Sequence, residues 1–376
     1  MPEAQRAERG LETPPAAARR HAVFHPLQVA AVDRLTDDAI AVTFDVPAEL
    51  RGEYDFVHGQ HLTVRIGLTG EDVRRNYSIC SPAGSGVLRI GVKRLPGGAF
   101  SEWPQDHLVP GAVLDVMTPT GRFFTHLEPS RAKHYALLAA GSGITPILSI
   151  AATVLEREPE STVTLLYGNR TISSIMFLEE LEDLKNRYPT RFALFHVLSR
   201  EAGEADLLHG RIDAAKLGVF LDNLLPADTV DEWFLCGPYE MVETARKVLT
   251  EHGAEGRIHV ELFHVEGEPV RTRTTETVTS DAADASSVTV LLDGRSTTFD
   301  LSATAEPILE AALRVRGDAP FACKNGVCGT CRAKLLEGSV RMDRNYALED
   351  DELADSYVLT CQSHPTADRV VLDYDA

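Results

Sequence analysis

The chain has 376 residues and a net charge of −19, from 56 Asp and Glu against 37 Lys and Arg. Its length allows two or three domains with separate cores, and its 44 % hydrophobic and 25 % charged content is ordinary for a globular protein. The acidic balance argues against nucleic acid and against anionic membrane surfaces, which both require basic patches. No apolar run reaches the roughly 18 residues of a spanning helix.

Residues 1–22 mix Ala, Pro, Arg and Glu without periodicity and without the apolar centre of a signal peptide. They read as a disordered tail on a cytoplasmic protein. From residue 23 to about 128 the pattern becomes short and alternating, as in Ala39-Ile-Ala-Val-Thr-Phe-Asp45, His61-Leu-Thr-Val-Arg-Ile66 and Val87-Leu-Arg-Ile-Gly-Val92. Several such strands, broken by turns at Gly52, Gly70 and Gly84, predict a closed antiparallel β-barrel. Two stretches there carry chemistry: Arg75-Asn-Tyr77-Ser78, and Val92-Lys93 leading to Gly97-Gly98-Ala-Phe100-Ser101. Arginine pairs with phosphate, a tyrosine ring stacks on planar groups, and a glycine turn offers backbone N–H groups to an anion. Arg and Tyr alternating on a strand are equally what cross-strand packing produces.

After Thr118-Pro-Thr-Gly121 the grammar changes. Tyr135-Ala-Leu-Leu-Ala-Ala140 is a continuous apolar run, the mark of a strand buried on both faces. It feeds Gly141-Ser-Gly143-Ile-Thr145-Pro146 and a helical pattern over 147–156, which Thr145 is placed to cap. Strands over 162–167, 192–198, 233–235 and 258–262, with helices over 177–186 and 239–252, predict a doubly wound parallel α/β sheet spanning 129–264. Gly-x-Gly after a strand is a phosphate-cradling turn, although it lacks the full dinucleotide fingerprint. Cys236-Gly237-Pro238 ends a later strand, where an inert buried thiol is the plain alternative. Arg170, Ser199 and Arg200 follow the second and third strands, and no carboxylate ends the second. Cations there suit the 2′-phosphate of NADPH, whereas NADH wants a carboxylate; two solvated surface arginines are the other reading.

Residues 265–287 form a polar linker rich in Thr and Asp. From 288 to 376 strands return, with one short helix around 308–313, in the order of a β-grasp (α+β) domain. Its centre is Cys323-Lys-Asn-Gly-Val-Cys328-Gly-Thr-Cys331, completed by Cys361. C-x4-C-x2-C with a distant fourth cysteine is the plant-type spacing for a 2Fe–2S cluster held by four thiolates. Zinc sites show a second knuckle or a histidine, and disulfide frameworks belong to short secreted chains.

Together these motifs resemble the ferredoxin–NADP reductase family. The resemblance implies an FAD site in which Arg75 pairs with the pyrophosphate, Tyr77 stacks on the isoalloxazine and Ser78 reaches the flavin N5. Val92, Lys93, Gly98, Phe100 and Ser101 would complete it. The resemblance also implies that Gly141, Gly143, Thr145, Arg170, Ser199, Arg200, Cys236, Gly237 and Pro238 receive NADPH, with Cys236 beside the nicotinamide. Glu261-Leu-Phe263 is similar to the acidic-x-aromatic ending of that family's nucleotide domain, where the ring covers the flavin. Ser78, Cys236 and Glu261 are then the expected catalytic group.

The full order of barrel, nucleotide domain and ferredoxin is similar to the reductases of the phenylacetyl-CoA epoxidase family. Tyr167-Gly-Asn-Arg-Thr171, Asp206-Leu-Leu-His-Gly-Arg-Ile-Asp213, Asn345-Tyr-Ala-Leu-Glu349 and Asp351-Glu-Leu-Ala354 carry that likeness. It implies a cytoplasmic oxidoreductase of phenylacetate degradation, passing electrons from NADPH through FAD and the cluster to a multisubunit di-iron oxygenase. The oxygenase would dock around Lys324, Asn325, Val327 and Arg332, where an ordinary solvated loop is the alternative. Two other readings share the pattern: the reductase of a Rieske-type or steroid hydroxylase, and a stand-alone electron carrier or redox sensor.

Overall fold

The computed structural model describes residues 23–68, 71–95, 101–201, 205–263 and 285–376. The expected tail, Gly70, Gly97, Gly98, Phe100 and most of the expected linker lie outside the described residues.

The first unit comprises β1 (Phe24–Thr36), β2 (Ala39–Asp45), β3 (His61–Leu68), β4 (Glu71–Ser78), β5 (Leu88–Lys93), the short helix α1 (Trp103–His107) and β6 (Val113–Met117). Its six strands run in the order β4-β3-β6-β1-β2-β5. A bridge between Ile79 and Ile90 joins the two edges and closes the sheet, which removes unpaired strand edges. The period-two pattern is the cause: Ile40, Val42, Leu62, Val64 and Ile90 all turn into one core.

The second unit alternates β7 (His134–Ala140), α2 (Ile144–Arg157), β8 (Thr162–Asn169), α3 (Leu178–Arg187), β9 (Phe192–Leu198), α4 (Ala214–Asn223), β10 (Glu232–Gly237), α5 (Tyr239–Glu251) and β11 (Ile258–Leu262). The strands are parallel in the order β11-β10-β7-β8-β9. Growth of the sheet therefore reverses between β7 and β10, and ligands of such sheets bind at the carboxyl ends of strands at that switch. Two local expectations change. Thr145 lies inside α2 rather than at its cap, and its hydroxyl donates to the Ser142 carbonyl at 3.0 Å. The reason is Gly141, whose φ of +54° turns the chain into helical geometry at once. Helix α4 has no counterpart among the predicted elements, yet Asp213 caps it by accepting from the Lys216 N–H at 2.8 Å. Leu217, Phe220 and Leu221 form its buried stripe.

The third unit holds β12 (Ala285–Leu292), β13 (Arg295–Ser302), α6 (Ile308–Val315), β14 (Arg332–Glu337), β15 (Val340–Met342), α7 (Asp350–Ala354), β16 (Tyr357–Leu359), β17 (Ser363–Pro365) and β18 (Arg369–Asp373). One sheet runs β13-β12-β18-β14-β16, with β12 parallel to β18, and β15 pairs with β17. The strand expected from Val288 starts at Ala285. Helix α6 buries Ile308, Leu309, Ala311 and Ala312, the arrangement of a β-grasp domain. No helix among the described residues is long and apolar enough to cross a membrane.

The barrel and the nucleotide domain share a tight seam. A Cβ at Gly91 on β5 would stand 2.7 Å from Thr145 Cγ2, 3.1 Å from Phe177 Cζ and 3.2 Å from Met176 Cε. Beside it, the Ser149 hydroxyl donates to the Ser81 carbonyl at 2.7 Å. Overpacking of this kind costs about 1–3 kcal/mol. Gly91→Val is therefore expected to lower the midpoint of thermal unfolding, and an unchanged midpoint would show that the seam yields freely.

Candidate functional site

The carboxyl ends of β7, β10 and β11 meet the end of β4. At Gly143 a Cβ would lie 2.1 Å from the Cys236 carbonyl oxygen and 2.9 Å from the Gly237 nitrogen, so the turn after β7 rests directly on the end of β10. Cys236 and Glu261 are register partners on β10 and β11. The Ser78 hydroxyl donates to Glu261 Oε2 at 2.9 Å, tying barrel to nucleotide domain. The three residues expected to form the catalytic group are thus brought together. Cys236 is fully buried, and burial, reinforced by the Glu261 carboxylate, pushes its thiol well above the usual value. It presents a neutral thiol, with no base to offer.

On β4 the alternation puts Arg75 and Tyr77 on one face, and Asn76 and Ser78 on the other. Arg75 donates to the Arg74 carbonyl at 2.7 Å. The Val92 side chain fills the barrel core and its carbonyl accepts from Gln105 Nε2 at 2.9 Å, and Lys93 pairs with Asp38 at 3.3 Å. The Ser101 hydroxyl accepts from the Leu95 N–H at 3.0 Å. Phe263 is 37 % exposed just past β11. At the outer end of the sheet, the Arg200 N–H donates to the Arg170 carbonyl at 2.8 Å. Two exposed arginines therefore stand side by side after β8 and β9. Ser199 pairs its N–H with the Asn169 carbonyl at 2.9 Å, and the nearby Glu201 carboxylate accepts from the Ile172 N–H at 3.1 Å.

The cysteine loop turns through left-handed residues at Lys324 (φ +57°), Gly326 (+78°) and Gly329 (+66°). The Cys328 thiol and the backbone N–H groups of Asn325, Val327 and Cys328 point at the Cys323 sulfur, holding its thiol down at about 6. Cys331 pairs with Cys361, and that hydrogen bond together with burial pushes the Cys331 thiol up. Among the described residues no group of three or more His, Cys, Asp or Glu side chains converges as a single-ion site. Four thiols in two pairs, with N–H groups aimed at sulfur, are the donor set that two irons need.

This loop faces inward. Asn76 Nδ2 on β4 donates to the Thr330 hydroxyl at 3.0 Å, and the Arg74 guanidinium lies 4.0 Å above the centre of the Phe321 ring. The buried carboxylate of Glu352 on α7 accepts from both Arg122, between β6 and β7, and Arg332 on β14. Tyr346 meets Tyr239 of α5 edge-on, with ring centres 5.5 Å apart. The residues expected to form an outward docking face are mostly committed elsewhere. Val327 is buried, Lys324 pairs with Glu310 at 2.7 Å, and Arg332 holds Glu352 and stacks on Tyr357. Sequence reasoning missed His61, Asn76, Thr330, Arg122 and Glu352. Asn76 and Thr330 lie within motifs whose signal comes from their neighbours.

Barrel, parallel sheet and β-grasp domain, with these sites at their junction, define a flavin- and iron–sulfur-dependent oxidoreductase. Family models match in the same order: the oxidoreductase FAD-binding domain over residues 26–125, the oxidoreductase NAD-binding domain over 137–247 and the 2Fe-2S iron-sulfur cluster binding domain over 290–366. The chain is 46 % identical over 354 residues to one of the subunits of 1,2-phenylacetyl-CoA epoxidase of Escherichia coli (strain K12), covering 94 % of this chain and 98 % of that protein. It is 34 % identical over 356 residues to the ferredoxin reductase component of 3-ketosteroid-9-alpha-monooxygenase of Rhodococcus rhodochrous, covering 93 % and 96 %. Phthalate dioxygenase reductase superposes with a TM-score of 0.56 at 26 % identity, over 93 % of this chain and 98 % of that one. The chain belongs to the family of the phenylacetyl-CoA epoxidase reductases and related oxygenase reductases. Its domains are those for FAD, a nicotinamide nucleotide and a 2Fe–2S cluster.

Removing one thiolate leaves an iron short of a ligand. Cys331→Ser is expected to bleach the visible cluster bands while flavin absorbance and NAD(P)H–ferricyanide turnover persist. Bands that survive in all four single cysteine variants would contradict the ligand set.

Proposed function

We propose that this chain is the electron-supplying reductase of a phenylacetyl-CoA epoxidase, a multisubunit di-iron oxygenase, and that it draws its electrons from NADPH in the cytoplasm. Supporting the pathway is the likeness to the Escherichia coli protein along almost the whole of both chains. The observation that carries the electron route is the contact between Asn76 and Thr330, which joins the strand bearing Ser78 to the loop bearing three of the cysteines. Thiolate ligands for iron suit a reducing compartment.

Arg75, Tyr77 and the loop ending at Ser101 would hold the flavin, and Cys323, Cys328, Cys331 and Cys361 the cluster. When bound, FAD supplies the change from two-electron hydride chemistry to single-electron transfer. The chain's own residues do the rest. Glu261 orients the Ser78 hydroxyl toward the place of hydride arrival by accepting its proton in a hydrogen bond. The Gly141–Gly143 turn and the first turn of α2, with Thr145, present backbone N–H groups to the nucleotide pyrophosphate. Cys236, Gly237 and Pro238 wall the nicotinamide side with a thiol that neither gives nor takes a proton. Arg170 and Arg200 face the 2′-phosphate, with Ser199 between strand and clip, and Phe263 closes the flavin edge.

A charge-assisted contact to phosphate contributes about 1.5–3 kcal/mol. Arg200→Ala is accordingly expected to raise KM for NADPH about tenfold or more and to leave NADH nearly unchanged. A wild-type protein that prefers NADH would overturn the cofactor assignment. The partner is tested by reconstitution with NADPH, O₂ and a phenylacetyl-CoA epoxidase oxygenase, which should form the epoxide. Support for a steroid or Rieske oxygenase alone would keep the reductase chemistry and overturn the pathway.

A further inference from the structure

Tyr167 lies near the end of β8 and opens the Tyr167–Thr171 stretch. Its side chain is fully buried, in one apolar core with Ile144 and Ile147 of α2. A buried hydroxyl needs a partner, and this one donates to the Gly141 carbonyl at 3.0 Å. Burial pushes the hydroxyl well above its usual range, so it keeps the proton that it donates. Gly141 starts the turn between β7 and α2 with φ at +54°, and a Cβ there would meet nothing within 4 Å. The turn is therefore held from its inner side and open on its outer side.

Which way each peptide group of the turn faces follows from its planarity. A trans peptide points its carbonyl and its N–H in opposite directions. With the Gly141 carbonyl drawn in to Tyr167, the N–H of the same peptide, which belongs to Ser142, points away from the core. A second buried hydroxyl holds the next peptide: Thr145 donates to the Ser142 carbonyl at 3.0 Å, which turns the Gly143 N–H away from that hydroxyl. Free N–H groups at the start of a helix accept an anion. A left-handed glycine has an alternative, however. Glycine populates positive and negative φ about equally, so an untethered Gly141–Ser142 peptide can turn over and put its carbonyl where the N–H was. The negative end of that dipole would repel phosphate.

We propose that Tyr167 is a positioning residue for the nicotinamide nucleotide: its hydroxyl locks the Gly141–Ser142 peptide with the N–H outward, set to receive the pyrophosphate. The inference rests on the reading of the Gly141–Gly143 turn as the pyrophosphate cradle. It assigns Tyr167 a different task from that of Arg170 and Arg200. Those two face the 2′-phosphate, which only NADPH carries, whereas the pyrophosphate is common to NADPH and NADH. Tyr167 therefore sets the affinity for both nucleotides alike and does not choose between them.

The test uses the full-length holoprotein with ferricyanide as electron acceptor. Tyr167→Phe keeps the ring that packs the core and removes only the hydroxyl. KM is expected to rise about tenfold for NADPH and for NADH alike, with kcat and the preference between the two nucleotides unchanged. A hydride donor without phosphate, 1-benzyl-1,4-dihydronicotinamide, should reduce the variant and the wild type at the same rate. Wild-type KM values in Tyr167→Phe would overturn the proposal. So would an equal loss with the phosphate-free donor, because the hydroxyl would then support the domain as a whole and not the cradle. A loss confined to NADPH would overturn it too, since the 2′-phosphate alone would be affected. Failure of the cradle reading itself would show in the wild type: ADP-ribose, which carries the pyrophosphate without the nicotinamide, would then fail to compete with NADPH or NADH.

Discussion

With no side chain at Gly143, the turn after β7 settles against the Cys236 carbonyl, 2.1 Å from where a Cβ would stand. That approach of two backbones brings the ends of β7 and β10 together at the point where the sheet reverses its growth. A second glycine, Gly91, lets the first turn of α2 press onto the barrel. Only with both glycines in place does Ser78, which belongs to the barrel, come within a hydrogen bond of Glu261, which belongs to the nucleotide domain. The site is therefore a product of packing between domains, and neither domain contains it alone.

Third-domain docking obeys the same logic with different forces. Glu352 is a buried carboxylate, and leaving it without a partner would be expensive. It has two, Arg332 from its own domain and Arg122 from outside. Tyr346 adds an edge-on aromatic contact to Tyr239, of the kind that contributes about 0.5–1.5 kcal/mol beyond area burial. Asn345–Glu349 and Asp351–Ala354, two of the stretches that carry the likeness to the epoxidase reductases, are thus the segments that seat the ferredoxin on the other two domains. Generic reductase chemistry makes no demand on them, but the dock does.

Much of the architecture is legible in the sequence because its causes are local. Alternation along β2 and β3, the apolar run of β7 and the cysteine spacing are properties of short windows. Helix α4 is equally local, signalled by the Asp213 cap and by apolar residues at 217, 220 and 221, but the motif that precedes it draws the eye away. The inward aim of the cysteine loop is not legible. It depends on Thr330 meeting Asn76, residues 254 positions apart, and neither carries a signal of its own. Lys324 and Arg332 look like free surface charges because their partners, Glu310 and Glu352, are set by the fold. Thr145 departs from its expected place for a smaller cause, the left-handed Gly141 that starts the helical geometry early.

Burial of Cys236 also bears on how the protein ages. Reduced flavins left in air generate peroxide, and cysteine oxidation follows thiolate character and access. A reactive thiolate next to the hydride site would be an early casualty, and its sulfenic or sulfinic product would carry oxygen atoms into a space already filled by Gly143 and Gly237. Cys236 is sealed from solvent and keeps its proton throughout the neutral range. Under the proposed placement of the nicotinamide, sulfur at this position would sit beside a generator of oxidant as an inert filler of a narrow space.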